Sequence, residues 1–155
     1  MQTGQVVQIN VSGGAVPKTP VERAQVGSLG LAGDDHNDKK NHGGPDRALC
    51  LFSMELIDDL RAEGHPIAPG TVGENLTISG IDWATVMPGK RYAAGEVEFE
   101  ITSYTTPCTN IEDSFRDGRF VRISPKLNPT QSRVYARVTK EGVIATGDEV
   151  RELAL

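Results

Sequence analysis

The alternation of apolar and charged residues is sharpest in the segment EVEFEITSY. Val97, Phe99 and Ile101 would face one side of its backbone and three glutamates the other, and a period of two is typical of a half-buried β-strand. The runs GQVVQINV (residues 4–11) and ALCLFS (residues 48–53) are rich in β-branched or apolar residues. They predict two more strands, of which the second is apolar enough to be buried.

One segment, SMELIDDLRAEGH, has helical rather than alternating spacing. Leu56, Ile57 and Leu60 recur at the interval of one helix face. Ser53 stands where an N-cap would accept a hydrogen bond, and Gly64 stands where helices commonly end. The pattern therefore predicts a short helix directly after the buried strand.

A second short helix is predicted around the segment TNIEDSF. Thr109 and Glu112 have the T-x-x-E spacing of a capping box, with Thr109 as the N-cap. Ile111 and Phe115, four residues apart, would give this helix a core face, and Gly118 would end it.

The rest of the chain adds short strands and many turns. The C-terminal segment RVYARVTKEGVIATGDEVREL predicts two strands around a turn and then a terminal strand. The 17 glycines and 9 prolines agree with frequent turns. We count six or more short strands and two short helices, which predicts a mainly β fold, a closed or nearly closed β-barrel, in one domain over residues 1–155.

Composition narrows the class of protein. The chain is 37% hydrophobic and 24% charged, with a formal net charge of -5, which argues against general binding to nucleic acid or to an anionic membrane. No apolar run approaches the roughly 18 residues of a membrane span, and the first residues do not resemble a signal peptide. We therefore expect a cytoplasmic protein with reduced cysteines.

The two cysteines have different surroundings. Cys50 lies inside the apolar run ALCLFS, where a free cysteine acts as a small buried hydrophobe. Cys108 follows a strand and Pro107 and precedes the predicted helix. A thiol near a helix N-terminus is favoured as thiolate, the form that attacks electrophiles and binds metals. We interpret Cys50 as a core residue and Cys108 as the candidate for chemistry, while a packed Cys108 remains the alternative.

The basic residues allow two interpretations. Arginine forks hold phosphate with two parallel hydrogen bonds, so a local cluster in an acidic protein could bind a phosphorylated cofactor. The alternative is a solvated face paired with acidic residues. The candidates are Arg116, Arg119, Arg122, Arg133 and Arg137, joined by Lys18 and Arg47.

The histidines do not form a metal motif. His36 and His42 share a long polar loop with Asp34 and Asp35, but neither H-x-x-x-H nor C-x-x-C spacing is present. We do not expect a structural zinc site there. His65, before a proline, is interpreted as a turn residue.

Several short motifs occur in a familiar order: SGGAVPKTPV, GLAGDDH, GGPDRALCLFS, GENLTISG, PCTNI and VYARVTKEGVIATGDEV. The ordered set resembles MOSC-domain proteins, the family named after the C-terminal domain of molybdenum cofactor sulfurase, over nearly the whole chain. The resemblance implies a β-barrel-like fold that binds the molybdenum cofactor, a pterin dithiolene with a phosphate tail. Pyridoxal phosphate binding is not expected.

The resemblance also implies roles for particular residues. Cys108 matches the family's characteristic cysteine and would be the thiolate ligand of molybdenum, making it both a catalytic and a metal-binding candidate. Asn75 and Thr77 match the GENLT motif and would line the pocket. Asp34 and His36, from the GDDH loop, are further catalytic candidates. Arg47, from the PDRA segment, would bind cofactor.

Some positions depart from the family pattern. Arg133 stands where a glycine is frequent, while Thr105 and Thr106 stand where relatives often carry an arginine. Arg133 or Arg116 would then supply the missing charge. We take these four residues, with Lys18, as candidate cofactor-binding residues.

Three functions follow as expectations. By resemblance, the protein would reduce N-hydroxylated compounds (hydroxylamines, amidoximes or N-hydroxylated bases) with electrons from a separate donor protein, and Asp34 or Asp35 would relay protons. Alternatively, Cys108 would carry sulfur as a persulfide for the biosynthesis of a metal-sulfur cluster or cofactor. A third reading is a cofactor-storing or regulatory module without turnover.

Overall fold

Short β-strands make up most of the structure, a computed structural model that describes residues 1–36 and 43–155. The described strands are β1 (Thr3–Val11), β2 (Gly13–Gly14), β3 (Thr19–Val21), β4 (Arg23–Gly27), β5 (Gly30–Leu31), β6 (Asp35–His36), β7 (Leu49–Ser53), β8 (Leu76–Ser79), β9 (Arg91–Ala94), β10 (Val97–Tyr104), β11 (Val134–Lys140), β12 (Gly142–Ala145) and β13 (Glu149–Leu153). The described helices are α1 (Met54–Ala62) and the 3-10 helices Pro45–Arg47, Trp83–Thr85, Thr109–Ser114, Arg116–Gly118 and Phe120–Ile123.

Seven of these strands form a closed barrel in the order β13-β9-β10-β11-β7-β8-β1. The barrel closes because β1 also pairs with β13, with Gly4 opposite Val150. Strands β7 and β8 run parallel and the other neighbours in the barrel are antiparallel. A smaller sheet, β12-β4-β5, and the β2–β6 pair lie outside the barrel order. The predicted mainly β, closed fold is confirmed.

The barrel interior is filled by the alternating residues that the sequence pattern indicated. Val97, Phe99 and Ile101 of β10 are buried, as predicted. The rings of Tyr92 and Phe99 stack with centroids 5.8 Å apart. Trp83 adds a polar anchor, since its indole N–H donates to the carbonyl oxygen of Ser132 at 2.8 Å.

The helix after β7 forms where the sequence predicted it. The hydroxyl of Ser53 accepts a hydrogen bond from the backbone N–H of Leu56 at 3.2 Å, which confirms Ser53 as the N-cap. Gly64, with φ of 97°, follows the last turn in a left-handed conformation that suits glycine. Within residues 1–36 and 43–155, no helix has the length and apolar character needed to cross a bilayer.

The predicted capping box at Thr109 is wrong. The segment Thr109–Ser114 is a 3-10 helix whose N-cap is Cys108, and the Cys108 side chain makes no capping hydrogen bond. Phe115 then turns to an extended conformation before the next 3-10 turn. Ile111 and Phe115 are both buried in one apolar cluster with α1, as predicted for a core face. Cys108 and Phe115 are both in extended conformations, and the six residues between them form only a short 3-10 helix.

This second apolar cluster holds the Cys108 segment against the outside of the barrel. Its buried members come from β7, from α1 and the loop after it, and from the segment after Cys108: Phe52, Ile57, Leu60, Ile67, Val72, Ile111, Phe115 and Ile123. Cys108 therefore sits at a fixed edge of the packed structure rather than on a free loop.

Barrel closure gives a test of the fold. A Cβ at Gly4 would overlap the carbonyl oxygen of Ser79, whereas a Cβ at Gly13 would meet no atom within 4 Å. We expect Gly4→Ala to lower the free energy of unfolding by roughly 1–3 kcal/mol. Gly13→Ala should change it much less. Urea denaturation of both variants measures the difference, and equal stability would contradict the tight seam.

Candidate functional site

A pocket of about 70 Å³ lies beside the Cys108 segment, between the barrel wall and the loops outside it. Its lining comes from β2 and the loop after it, from β6, β7 and the loop before β8, from the Cys108 segment, and from the start of β11 with the residue before it: Gly14, Ala15, Val16, Lys18, Asp35, Cys50, Val72, Gly73, Cys108, Asn110, Ile111, Arg133 and Tyr135. Both cysteines and two basic residues that the sequence singled out thus meet in one place.

The two thiols of this pocket differ in exposure. Cys108 is partly exposed at the start of its 3-10 helix, as a residue presented for chemistry should be. Cys50 is buried within β7, as predicted. Burial raises the pKa of the Cys50 thiol, against the opposing effect of the Arg133 charge. Cys50 is therefore held as a neutral thiol, and Cys108 is the more accessible of the two.

Arg133 brings a permanent positive charge into the pocket wall. Arg133 is only 5% exposed. One terminal nitrogen, Nη1, donates to the carbonyl oxygen of Val72 at 2.8 Å. Nε and Nη2 are buried and have no hydrogen-bond partner among the described residues. A buried charged donor without a partner is costly, so this arrangement favours an anionic ligand in the pocket.

Lys18 also lines the pocket, but its charge is compensated. Its Nζ donates to both carboxylate oxygens of Asp34, at 2.6 and 2.8 Å. Asp34 further accepts from the amide of Asn75 at 2.7 Å and from the backbone N–H of Ser12 at 2.9 Å. Both side chains of the ion pair are buried, and the pair anchors the loop to the barrel.

Asn75 and Thr77 of the GENLT motif lie behind the pocket rather than among its lining residues. The side-chain oxygen of Asn75 accepts the backbone N–H of Cys50 at 2.9 Å, and its amide also donates to the carbonyl oxygen of Asn10 at 3.3 Å. The hydroxyl of Thr77 donates to the carboxylate of Glu74 at 3.0 Å. The motif thus positions the wall that carries Cys50.

Glu74 is a residue that the sequence analysis missed. It is fully buried, and Oε1 finds no hydrogen bond of good geometry within the described part of the chain. Burial raises its pKa to about 7, although the backbone N–H groups of Gly70 and of Glu74 itself, the Thr77 hydroxyl and the charge of Arg133 oppose the change. A glutamate that follows a glycine is typical of an exposed turn, so no feature of the sequence indicated that Glu74 is buried.

Arg47 and the threonines before the cysteine surround the pocket without lining it. The guanidinium carbon of Arg47 lies 5.2 Å from the ring centroid of Tyr135, a cation–π contact with a lining residue. Thr105 is buried and its backbone N–H donates to the carbonyl oxygen of Arg133 at 2.9 Å. Thr106 is exposed.

The proposed arginine cluster does not assemble around Arg133. Arg116 is exposed outside the lining set, and its backbone N–H donates to Nδ1 of His65 at 3.0 Å. Arg122 pairs with Glu63 at 2.8 Å. Arg137 pairs with Glu100 at 2.7 Å and with Asp46 at 3.1 Å. For Arg122 and Arg137 the solvated, ion-paired alternative is the observed one.

The histidine loop is described only in part. The backbone of His36 belongs to β6, its side chain is not described, and His42 lies outside the described residues. Asp35, next to Asp34, lines the pocket. Within the described ranges, no group of three or more His, Cys, Asp or Glu side chains could hold a metal ion.

The family model for the MOSC domain matches residues 38–151 of the chain. The chain belongs to the MOSC domain family. The expected resemblance and its β-barrel fold are therefore confirmed, and the matched range contains Cys50, Glu74, Cys108 and Arg133.

Relatives of this MOSC protein include YiiM from Escherichia coli, 32% identical over 91 residues that make up 56% of this chain and 41% of YiiM. A protein named reductase from Gibberella moniliformis is 29% identical over 128 residues, which cover 79% of this chain and 22% of that protein. The chain thus spans less than half the length of these two relatives. The crystal structure of YiiM from Geobacillus stearothermophilus superposes with a TM-score of 0.75 at 26% identity, covering 97% of this chain and 75% of that one.

MOSC domains are associated with the molybdenum cofactor, and two residues of the pocket have chemistry that suits parts of such a group. Cys108 offers one accessible thiol, the kind of soft donor that suits molybdenum. Arg133 offers two unpaired nitrogen atoms for an anionic part of the cofactor. Because both residues line the same pocket, one bound group could satisfy them together.

The buried ion pair behind the pocket gives a stability test. Lys18→Met would leave the Asp34 carboxylate buried without its cation, and we expect a loss of roughly 3–5 kcal/mol in the free energy of unfolding. Lys90→Met is the matched control, since Lys90 makes only a 3.7 Å contact with Glu152 at a more exposed position. Urea denaturation at neutral pH compares them. Equal losses would show that the Lys18–Asp34 pair does not anchor the loop.

Proposed function

We propose that this MOSC protein binds the molybdenum cofactor in the pocket, with Cys108 as the protein ligand of the metal, and that it reduces N-hydroxylated compounds. The observation that carries the proposal is the buried guanidinium of Arg133, with two unpaired nitrogens, beside an accessible thiol. The dithiolene and the phosphate tail of the cofactor are anionic, so they are suitable partners for Arg133.

The chain's own residues would bind and orient the cofactor and its substrate. When bound, the cofactor supplies two-electron oxygen-atom chemistry at molybdenum. Cys108 would hold the metal end, and Arg133 would hold an anionic group in the wall. Cys50 would stay a neutral thiol because burial raises its pKa.

Two lining residues are suited to handle the substrate and its protons. Burial raises the pKa of Tyr135, so its hydroxyl stays protonated and can donate a hydrogen bond to an N-hydroxyl oxygen. Asp35 lines the pocket and is exposed, so it can exchange protons with solvent. We favour Asp35 over Asp34 as the proton relay, because Asp35 lines the pocket and is exposed, whereas the side chain of Asp34 is buried.

Electrons would come from a separate donor protein in a reducing compartment such as the cytoplasm. The sequence contains 2 cysteines, too few to ligate an iron–sulfur cluster by thiolates alone. The name of the Gibberella relative, reductase, agrees with a reductive function. The matched part is only 22% of that protein, so its whole activity is not transferred to this chain.

A sulfur carrier is the second candidate function, and one observation favours it. Cys108 is partly exposed at the pocket edge, where a partner enzyme could reach a persulfide. The charge of Arg133 would stabilise a persulfide anion as well as a cofactor. The metal content of the protein separates the two candidates.

The metal assignment predicts a clear difference between variants. After expression in a host that makes the cofactor and is supplied with molybdate, we expect near-stoichiometric molybdenum in the parent protein. Cys108→Ser should retain none, and Arg133→Gln should retain much less because an anionic partner is lost. Arg137→Gln, on strand β11 just after Arg133 but ion-paired outside the pocket, is the control and should load like the parent. Elemental analysis by mass spectrometry gives the readout.

Two outcomes would count against the assignment. Full molybdenum in Cys108→Ser would remove Cys108 as the ligand. If the parent protein contains no molybdenum in cells that load a known molybdenum enzyme, the sulfur carrier is favoured. Mass spectrometry would then test whether Cys108 carries one additional sulfur atom. If the parent does load, turnover of hydroxylamine with a reduced dye distinguishes a reductase from a storage module.

A further inference from the structure

Glu74 and Arg133 are two buried groups of opposite charge. Each has at least one side-chain polar atom without a hydrogen-bond partner among the described residues. Glu74 is 0% exposed, with Oε2 bound by the Thr77 hydroxyl and Oε1 unbonded among described residues. Arg133 is similarly buried, with only Nη1 bonded. The guanidinium is held by the segment that carries Glu74, because Nη1 of Arg133 donates to the carbonyl oxygen of Val72, two residues before Glu74. A buried acid therefore lies close in the chain to the contact that holds a pocket-lining arginine.

An anion in the pocket would change this balance. It would compensate the charge of Arg133 and place a second negative charge near the carboxylate of Glu74. Both effects disfavour the ionised form of a buried carboxyl group. Since burial already brings the pKa of Glu74 to about 7, a further rise would protonate it at neutral pH.

We propose that anion binding at Arg133 and proton uptake by Glu74 are one coupled event, so that the pocket exchanges an internal carboxylate for an external anion. The inference deepens the proposed function in its anion-binding part and does not require the metal. It makes Glu74 a positioning residue that sets the net charge of the pocket. A cofactor phosphate, a persulfide or a simple oxyanion would all present the same chemistry to Arg133.

Proton uptake by Glu74 has to be distinguished from proton uptake by the other titratable groups near the pocket. Cys50 and Tyr135 both have a raised pKa because of burial, so each stays protonated near neutrality. Lys18 is held in its ion pair with Asp34. Asp35 and Cys108 also line the pocket, so their contribution is tested by the variants Asp35→Asn and Cys108→Ser.

Calorimetric titration with sulfate tests the coupling on the metal-free full chain. Sulfate keeps a constant charge near neutral pH, and repeating each titration in two buffers of different ionisation enthalpy counts the protons taken up. We expect close to one proton per sulfate at about pH 8 and few at about pH 6, with the affinity falling up to about tenfold per pH unit above about pH 7. The sign follows because a group with a higher pKa in the complex binds a proton on complex formation.

Variants assign the proton to its residue. Glu74→Gln should bind sulfate with little dependence on pH and without proton uptake, and Arg133→Gln should not bind it. Glu112→Gln removes an exposed carboxylate close to Cys108 in sequence and should keep the parental proton uptake. Loss of that uptake in Asp35→Asn or Cys108→Ser, with the uptake kept in Glu74→Gln, would assign the proton to another residue. Absence of sulfate binding in the parent, pH-independent binding in the parent, or unchanged uptake in folded Glu74→Gln would each overturn the proposal.

A second measurement on the parent protein needs no variant that might fold poorly. Carbon NMR of protein labelled at glutamate carboxyl groups follows each titration directly. The resonance with the highest pKa should move to a still higher pKa on addition of sulfate, and a constant value would contradict the coupling. Neither readout uses molybdenum, so failure of metal loading and failure of this inference remain distinguishable.

Discussion

The incompletely paired charge of Arg133 is the physical constraint on which the account of this pocket depends. A guanidinium is protonated under all ordinary conditions, and here it is buried with two nitrogens that lack partners among described residues. Each unsatisfied buried donor costs on the order of 1–3 kcal/mol, and more when charged. The fold must supply that free energy, and an anion that binds there would recover part of it.

The architecture is able to hold such a charge because the pocket stands between two well-packed regions. The barrel interior lies on one side and the apolar cluster around α1 on the other. Asn75 ties the backbone of Cys50 to Asp34, and Asp34 is tied to Lys18. These contacts fix the walls, so that Arg133 and Cys108 face one space.

The sequence predicted those features that depend on local periodicity. The alternation in β10, the Ser53 cap of α1 and the burial of Cys50 are all confirmed. The capping box at Thr109 was wrong, because Thr109 lies inside a 3-10 helix whose N-cap is Cys108, although the predicted burial of Ile111 and Phe115 is observed. Glu74 could not have been predicted as a buried acid, since its surroundings come from segments far apart in the chain. The pairing of Arg137 outside the pocket is likewise decided only by the fold.

The most direct test of the central claim is X-ray diffraction at the molybdenum absorption edge from crystals of protein loaded with the cofactor. The account predicts one anomalous peak bonded to Sγ of Cys108, with an anionic group of the cofactor within hydrogen-bond distance of Nε or Nη2 of Arg133. A molybdenum peak away from Cys108, or a cofactor that leaves Arg133 without contact, would contradict it.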